Sequence, residues 1–135
     1  MNIVMLLKPK ETIAYVYNDN TIRQALEKMK VHKYTAVPVI DAKGKYVGTV
    51  SEGDFLWHIL NNHNDGMKGQ EKYHVRDILR KDFNPAVKIS VTMEEVLEKA
   101  MNQNFIPVTD DYGSFIGIVT RRDIIAYFTS GKSNK

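Results

Sequence analysis

The sequence predicts an α+β fold made of two β-α-β-β-α repeats packed about a pseudo-twofold axis. Two observations carry this expectation. Residues 37–54, VPVIDAKGKYVGTVSEGD, align without a gap on residues 106–123, IPVTDDYGSFIGIVTRRD, with seven of 18 positions identical and four more conservative. Ahead of each copy lies one amphipathic stretch, TIRQALEKM at 21–29 and TMEEVLEKA at 92–100.

Each element then follows from local chemistry. ETIAYVY (11–17) and PAVKI (85–89) read as short extended segments. Ile22, Ala25, Leu26 and Met29 fall at i, i+3, i+4 and i+7, as do Met93, Val96, Leu97 and Ala100, which is the spacing of one apolar helix face. Asn20 or Thr21, and Thr92, are the N-cap candidates. The strands AVPVI (36–40) and FIPVT (105–109) lead through Gly-containing turns at 41–45 and 110–114 into second strands, YVGTV (46–50) and FIGIV (115–119). The helices DFLWHIL and RRDIIAYF close the repeats. HVRDILRKD (74–82) reads as a short helix with Val75, Ile78 and Leu79 as its apolar side.

The expected organisation is a first unit at 1–60, a polar Gly-containing connector at 61–74 and a second unit at 75–135, ending in an unstructured TSGKSNK. A single unit of about 50 residues is near the lower limit for folding alone, so two are expected to share their apolar faces.

The composition fits a globular protein, with 43% hydrophobic and 26% charged residues. No apolar run approaches the ~20 residues needed to span a bilayer, and MNIVMLLKPKE lacks the marks of a signal peptide. With no cysteine there are no disulfides and no thiolate metal sites, which suits the cytoplasm. The net charge of +3 is spread: residues 1–70 carry 9 basic against 7 acidic side chains, and residues 71–135 carry 10 against 9. That is poor support for nucleic-acid binding. His32, His58, His63 and His74 lack metal-ligand spacing, so no metal site is expected.

The motif that carries chemistry is Gly-x-Val-Ser/Thr-x-x-Asp, present as GTVSEGD (48–54) and GIVTRRD (117–123). It admits two readings. Ser51/Asp54 and Thr120/Asp123 can be helix caps, satisfying free amides at the positive end of a helix. The same geometry also suits a ligand: Asp accepts from two adjacent ribose hydroxyls, Ser or Thr adds a contact, and Arg121 and Arg122 can reach phosphate oxygens. A carboxylate has enough acceptor sites for both.

These repeats resemble a tandem pair of cystathionine-β-synthase (CBS) domains, a Bateman module. The marks are Thr21, Ala25-Leu26, Ala36-Val37-Pro38-Val39, Gly44 and Val47-Gly48-x-Val50-Ser51-x-x-Asp54 in one unit. In the other they are Thr92, Val96-Leu97, Ile106-Pro107-Val108, Gly113 and Ile116-Gly117-x-Val119-Thr120-x-x-Asp123. The likeness spans about Glu11 to Phe128, and His74 to Leu79 resembles the lead-in helix of such a unit. No catalytic domain is left over, so the chain looks like a stand-alone module and not an enzyme.

The resemblance implies a regulatory module that binds an adenine nucleotide (AMP, ADP, ATP or a related ligand) between its units and signals to a protein partner, as yet unknown, by a conformational shift. No cofactor is required; the nucleotide is the regulatory ligand. It implies one cleft formed by Thr120, Arg121, Arg122 and Asp123 with Ile13, Ala14, Tyr15, Tyr34, Thr35 and Ala36, where Lys33 also faces phosphate. A second would join Ser51 and Asp54 to Ala86, Val87, Asn104, Phe105 and Ile106. Glu52 stands there in place of an arginine, and a carboxylate repels phosphate, so this second cleft is expected to be empty or to hold an uncharged group. Homodimers formed through the closing helices are implied as well, with Trp57, Leu60, Ile125 and Phe128 as the contact. A nucleic-acid binder and a ligand-free structural or dimerisation module stay open as alternatives.

Other residues have plainer readings. Tyr17 is expected in the core or at an interface, Trp57 against a partner helix or at a dimer face, and Lys8, Lys10, Lys43 and Lys45 as solvated charges.

Overall fold

The computed structural model describes residues 3–32, 34–62 and 71–130. They form two compact units, one of residues 14–83 and one in which the N-terminal residues up to Ile13 join residues 84 onward.

The unit of residues 14–83 holds a three-stranded sheet, ordered β2 (Val16–Tyr17), β3 (Ala36–Ile40) and β4 (Tyr46–Ser51). β3 runs parallel to β2 and antiparallel to β4. Helices α1 (Ile22–His32) and α2 (Glu52–Asn61) accompany it. Its core is Val16, Ile22, Ala25, Met29, Val37, Val39, Val50, Phe55 and Val75. The apolar face predicted for α1 is therefore the face it buries.

The second unit repeats this plan with one strand more. Its sheet is ordered β1 (Lys8–Pro9), β7 (Phe115–Thr120), β6 (Phe105–Thr109) and β5 (Val87–Lys88), with helices α3 (Met93–Ala100) and α4 (Arg121–Thr129). Ile3, Leu6, Val87, Val96, Ala100, Ile106, Val108, Val119 and Ile124 form its core.

The two hairpins are built by the same chemistry. Asp41 Oδ1 accepts the N–H groups of Lys43 (2.9 Å) and Lys45 (3.0 Å). Asp110 Oδ1 accepts those of Tyr112 and Ser114, both at 2.9 Å. Gly44 and Gly113 take the left-handed conformation, φ 84° and 87°, that closes each turn. Pro38 and Pro107 sit mid-strand without breaking the sheet. The two-residue strands β2 and β5 pair only with Val39–Ile40 and Val108–Thr109, so neither ladder reaches a proline nitrogen.

The expected helix caps are present. Thr21 Oγ1 accepts the Gln24 N–H at 3.1 Å while Gln24 Oε1 takes the Thr21 N–H at 2.8 Å, a reciprocal cap. Thr92 Oγ1 accepts the Glu95 N–H at 3.2 Å.

Two expectations change. Only Val16–Tyr17 of residues 11–17 is strand, because Lys10–Thr12 closes a 3-10 turn in which Ile13 N–H donates to Lys10 O at 3.3 Å. Residues 74–82 form only a three-residue 3-10 turn, Val75–Asp77. Val75 N–H donates to Asn20 O (2.9 Å) and Arg76 N–H to Asn18 O (3.0 Å), which ties the start of this turn to the segment ahead of α1. Trp57 and Tyr17 lie at the surface of this chain, 68% and 38% exposed.

Candidate functional site

The two hydroxyl–x–x–Asp motifs occupy the same place in their units, where a strand ends and a helix begins. Ser51 ends β4 and caps α2; Thr120 ends β7 and caps α4. Each hydroxyl accepts the N–H of the aspartate three residues on, at 3.4 Å for Ser51 and 3.1 Å for Thr120. The helix-cap reading therefore holds for both hydroxyls.

The carboxylates differ. Asp54 Oδ2 accepts the Ser51 N–H at 2.8 Å and the Ser51 hydroxyl at 3.0 Å, completing a capping box. Its other oxygen lies 2.7 Å from Arg80 Nε, and the side chain is only 8% exposed. Both oxygens of Asp54 are thus engaged within the unit. Asp123 is 35% exposed, and Lys8 Nζ lies 3.5 Å from its Oδ2. Among the described residues its carboxylate takes no return bond from Thr120. It keeps most of its acceptor capacity, at the positive end of α4.

The bases that meet these aspartates come from matching lead-in segments. Leu79 lies over Gly48 and Leu7 over Gly117, where a Cβ would meet each leucine methyl. The next residue, Arg80 or Lys8, then reaches the aspartate. At Gly117 the approach is closer still: a Cβ would collide with the Lys8 carbonyl, because β1 pairs Lys8 with Ile118 and Pro9 with Gly117. Lys8 is thus exposed, as expected, and is also an ion-pair partner of Asp123. Neither Lys8 nor Arg80 was singled out as a site residue from the sequence. The available signal was an apolar residue four positions before a Leu-basic pair: Ile3, Leu7-Lys8 and Val75, Leu79-Arg80.

The two arginines of the second copy also part. Arg121 Nε donates to Ala100 O at 2.8 Å, placing its cation on the negative end of α3, and its N–H donates to Asn104 O at 2.9 Å. Arg122 is exposed and so the more available to an anion.

Residues expected around an adenine take these positions. Ile13 is half-buried and extended after its 3-10 turn. Ala14 is buried. Tyr15 stands edge-on to Tyr17 at 5.9 Å, with Lys28 Nζ 4.9 Å from the centre of its ring. Tyr34 is exposed and stacks on His32 at 5.8 Å. Thr35 O accepts the Glu52 N–H at 2.8 Å, and Ala36 pairs with Ser51 across the β3–β4 ladder. Tyr34 also lines an open groove of about 450 Å³ with Leu26, Met29, Glu52, Phe55 and Ile59. Lys33 and His63 lie outside the described residues.

The residues expected at the second copy take these positions. Val87, Phe105 and Ile106 are buried, at 6%, 9% and 0% exposure. Ala86 is half-buried, and Asn104 is exposed with its carbonyl taken by Arg121.

Two sheets, one of three strands and one of four, each with a helix capped by a hydroxyl–x–x–Asp motif, make the chain a tandem repeat of one structural unit. The CBS domain family model matches residues 7–61 and 75–130, and the chain belongs to that family as a tandem pair. A relative, an uncharacterised protein of Methanocaldococcus jannaschii, is 28% identical over 153 residues, covering 90% of each chain. The CbpB protein of Listeria monocytogenes, solved in complex with c-di-AMP, is 25% identical, covers 98% of each chain and superposes with a TM-score of 0.85. CBSX2, solved in complex with AMP, is 26% identical, covers 97% of this chain and 98% of its own, and gives a TM-score of 0.77. No helix among the described residues is long and apolar enough to cross a membrane.

Proposed function

We propose that this chain is a regulatory module, not an enzyme, that binds an adenine nucleotide through Thr120, Arg122 and Asp123 and signals the occupied state to a protein partner in the cytoplasm. The observation that carries the reading is the contrast between the aspartates. Asp54 is consumed by its capping box and Arg80, whereas Asp123 presents an accessible carboxylate beside exposed Arg122. A carboxylate of that kind suits the vicinal hydroxyls of a ribose, and the guanidinium suits a phosphate. The adenosine-type ligands in two structures similar to this chain support the same class.

Ile13, Ala14, Tyr15, Tyr34, Thr35 and Ala36 receive the base in this proposal, and Arg121 contributes through the guanidinium nitrogens that Ala100 does not use. The copy built on Ser51 and Asp54 is proposed to hold no nucleotide, since its acceptors are taken and Glu52 adds a repelling charge. Trp57 (68% exposed), Ile125 (55%), Leu60 and Phe128 are proposed as the contact of a homodimer.

Isothermal titration with AMP, ATP, S-adenosylmethionine and cyclic di-AMP tests the reading. Micromolar binding of one of them, lost in Asp123→Ala and kept in Asp54→Ala, is the expected result. The reverse pattern, or no binding of any of the four, overturns it.

A further inference from the structure

The N-terminal strand sets a cation on the proposed ribose carboxylate. Lys8 Nζ lies 3.5 Å from Asp123 Oδ2, and the two side chains are 48% and 35% exposed. The backbone that carries Lys8 is fixed. Ile3 and Leu6 anchor it in the core, β1 pairs Lys8 with Ile118, and Gly117 has no Cβ to hold the Lys8 carbonyl away.

An ammonium there changes what the carboxylate can read. A free ribose diol would donate both hydroxyls to Asp123 and compete with Lys8 for the same oxygens. A ribose with a phosphate on its 2′ or 3′ oxygen leaves one hydroxyl for Asp123 and brings an anion to Lys8, so both charges are met. The equivalent base in the other unit lacks this freedom, since Arg80 grips Asp54 at 2.7 Å and that carboxylate is 8% exposed.

We propose, resting on the reading of Asp123 as the ribose-binding carboxylate, that Lys8 is a specificity-determining residue that selects adenine ligands phosphorylated on the ribose 2′ or 3′ oxygen. A 3′-phosphomonoester and the 3′–5′ diester of a dinucleotide share this chemistry. Arg122 serves a 5′-phosphate and is indifferent to Lys8.

The test titrates adenosine, 5′-AMP, 3′-AMP and cyclic di-AMP into the wild type, Lys8→Met, Lys8→Arg and Asp123→Ala, with folding of each variant checked by circular dichroism. Lys8→Met keeps the alkyl stem and removes the charge. It is expected to weaken 3′-AMP, cyclic di-AMP or both by about ten-fold or more while adenosine and 5′-AMP bind no more weakly, since their diol loses its competitor, with Lys8→Arg restoring the difference. Loss confined to 3′-AMP identifies the monoester as the source, and loss confined to cyclic di-AMP the diester. Equal weakening of 5′-AMP and 3′-AMP, or no change, overturns the role of Lys8 while ligand loss in Asp123→Ala preserves the ribose reading. Binding that survives Asp123→Ala, or no binding in the wild type, overturns both.

Discussion

Replacing each aspartate by alanine in the absence of ligand should separate a structural residue from a binding residue. Asp54→Ala removes the acceptor of the Ser51 N–H, costing about 1 kcal/mol for an amide left unpaired. It removes a negative charge from the first turn of α2, about 0.5 kcal/mol. It also breaks the Arg80 pair, which contributes no more than about 0.5 kcal/mol because Arg80 is 51% exposed. The total is roughly 2 kcal/mol, or a fall in Tm of about 6–10 °C for a protein of this size. Asp123→Ala loses only the helix-terminal charge and a 3.5 Å pair between half-exposed groups, about 0.5 kcal/mol and about 2 °C. Thermal unfolding followed by circular dichroism, at matched protein concentration and without nucleotide, reads both. Ser51→Ala and Thr120→Ala serve as controls, because each hydroxyl caps a helix and each should cost about 1 kcal/mol. Equal losses from the two aspartate variants would refute the reasoning, since both carboxylates would then be structural.

Gly117→Ala should destabilise by about 2–3 kcal/mol and raise amide exchange across residues 3–9, because its Cβ meets the Lys8 backbone. Gly48→Ala, at nearly the same φ, should cost about 1 kcal/mol less, since it meets only the end of the Leu79 side chain; equal costs would show that backbone strain decides both. Asp41 is held below the ordinary carboxylate value of 3.8 by the Lys45 N–H and, secondarily, the Lys43 N–H. A depressed folded-state pKa means stability present above pH 3.8 and lost as the pH falls through the folded value, so the advantage of wild type over Asp41→Asn should shrink below about pH 4 in acid-unfolding curves. In the proposed homodimer, Trp57→Ala should change the stability of the single chain by less than about 0.5 kcal/mol, because the side chain is exposed there, and sedimentation should show the dimer lost. A dimer that persists would remove α2 from the proposed contact.

What the amino-acid sequence determined by itself was everything held together by near neighbours. The Asp-x-x-Gly turns form because one carboxylate oxygen reaches two amides within four residues. The faces of α1 and α3 and the hydroxyl caps of α2 and α4 follow from spacings of three and four. The likeness of the halves made the fold class and the family legible before any contact was known. The lengths of β2, β5 and the turn at Val75–Asp77 were not legible, because they depend on which distant carbonyl or strand accepts each amide. The tertiary structure also decided which aspartate is the more accessible. Glu52 against Arg121-Arg122 marks the two motifs apart in the sequence, but nothing near them in the chain shows which base each carboxylate meets. Arg80 comes from 26 residues away, and Lys8 from the far end of the chain on a strand added to β7. Charge acts through space, so a tight guanidinium at one motif and a looser ammonium at the other turn matching sequences into one buried structural carboxylate and one accessible one.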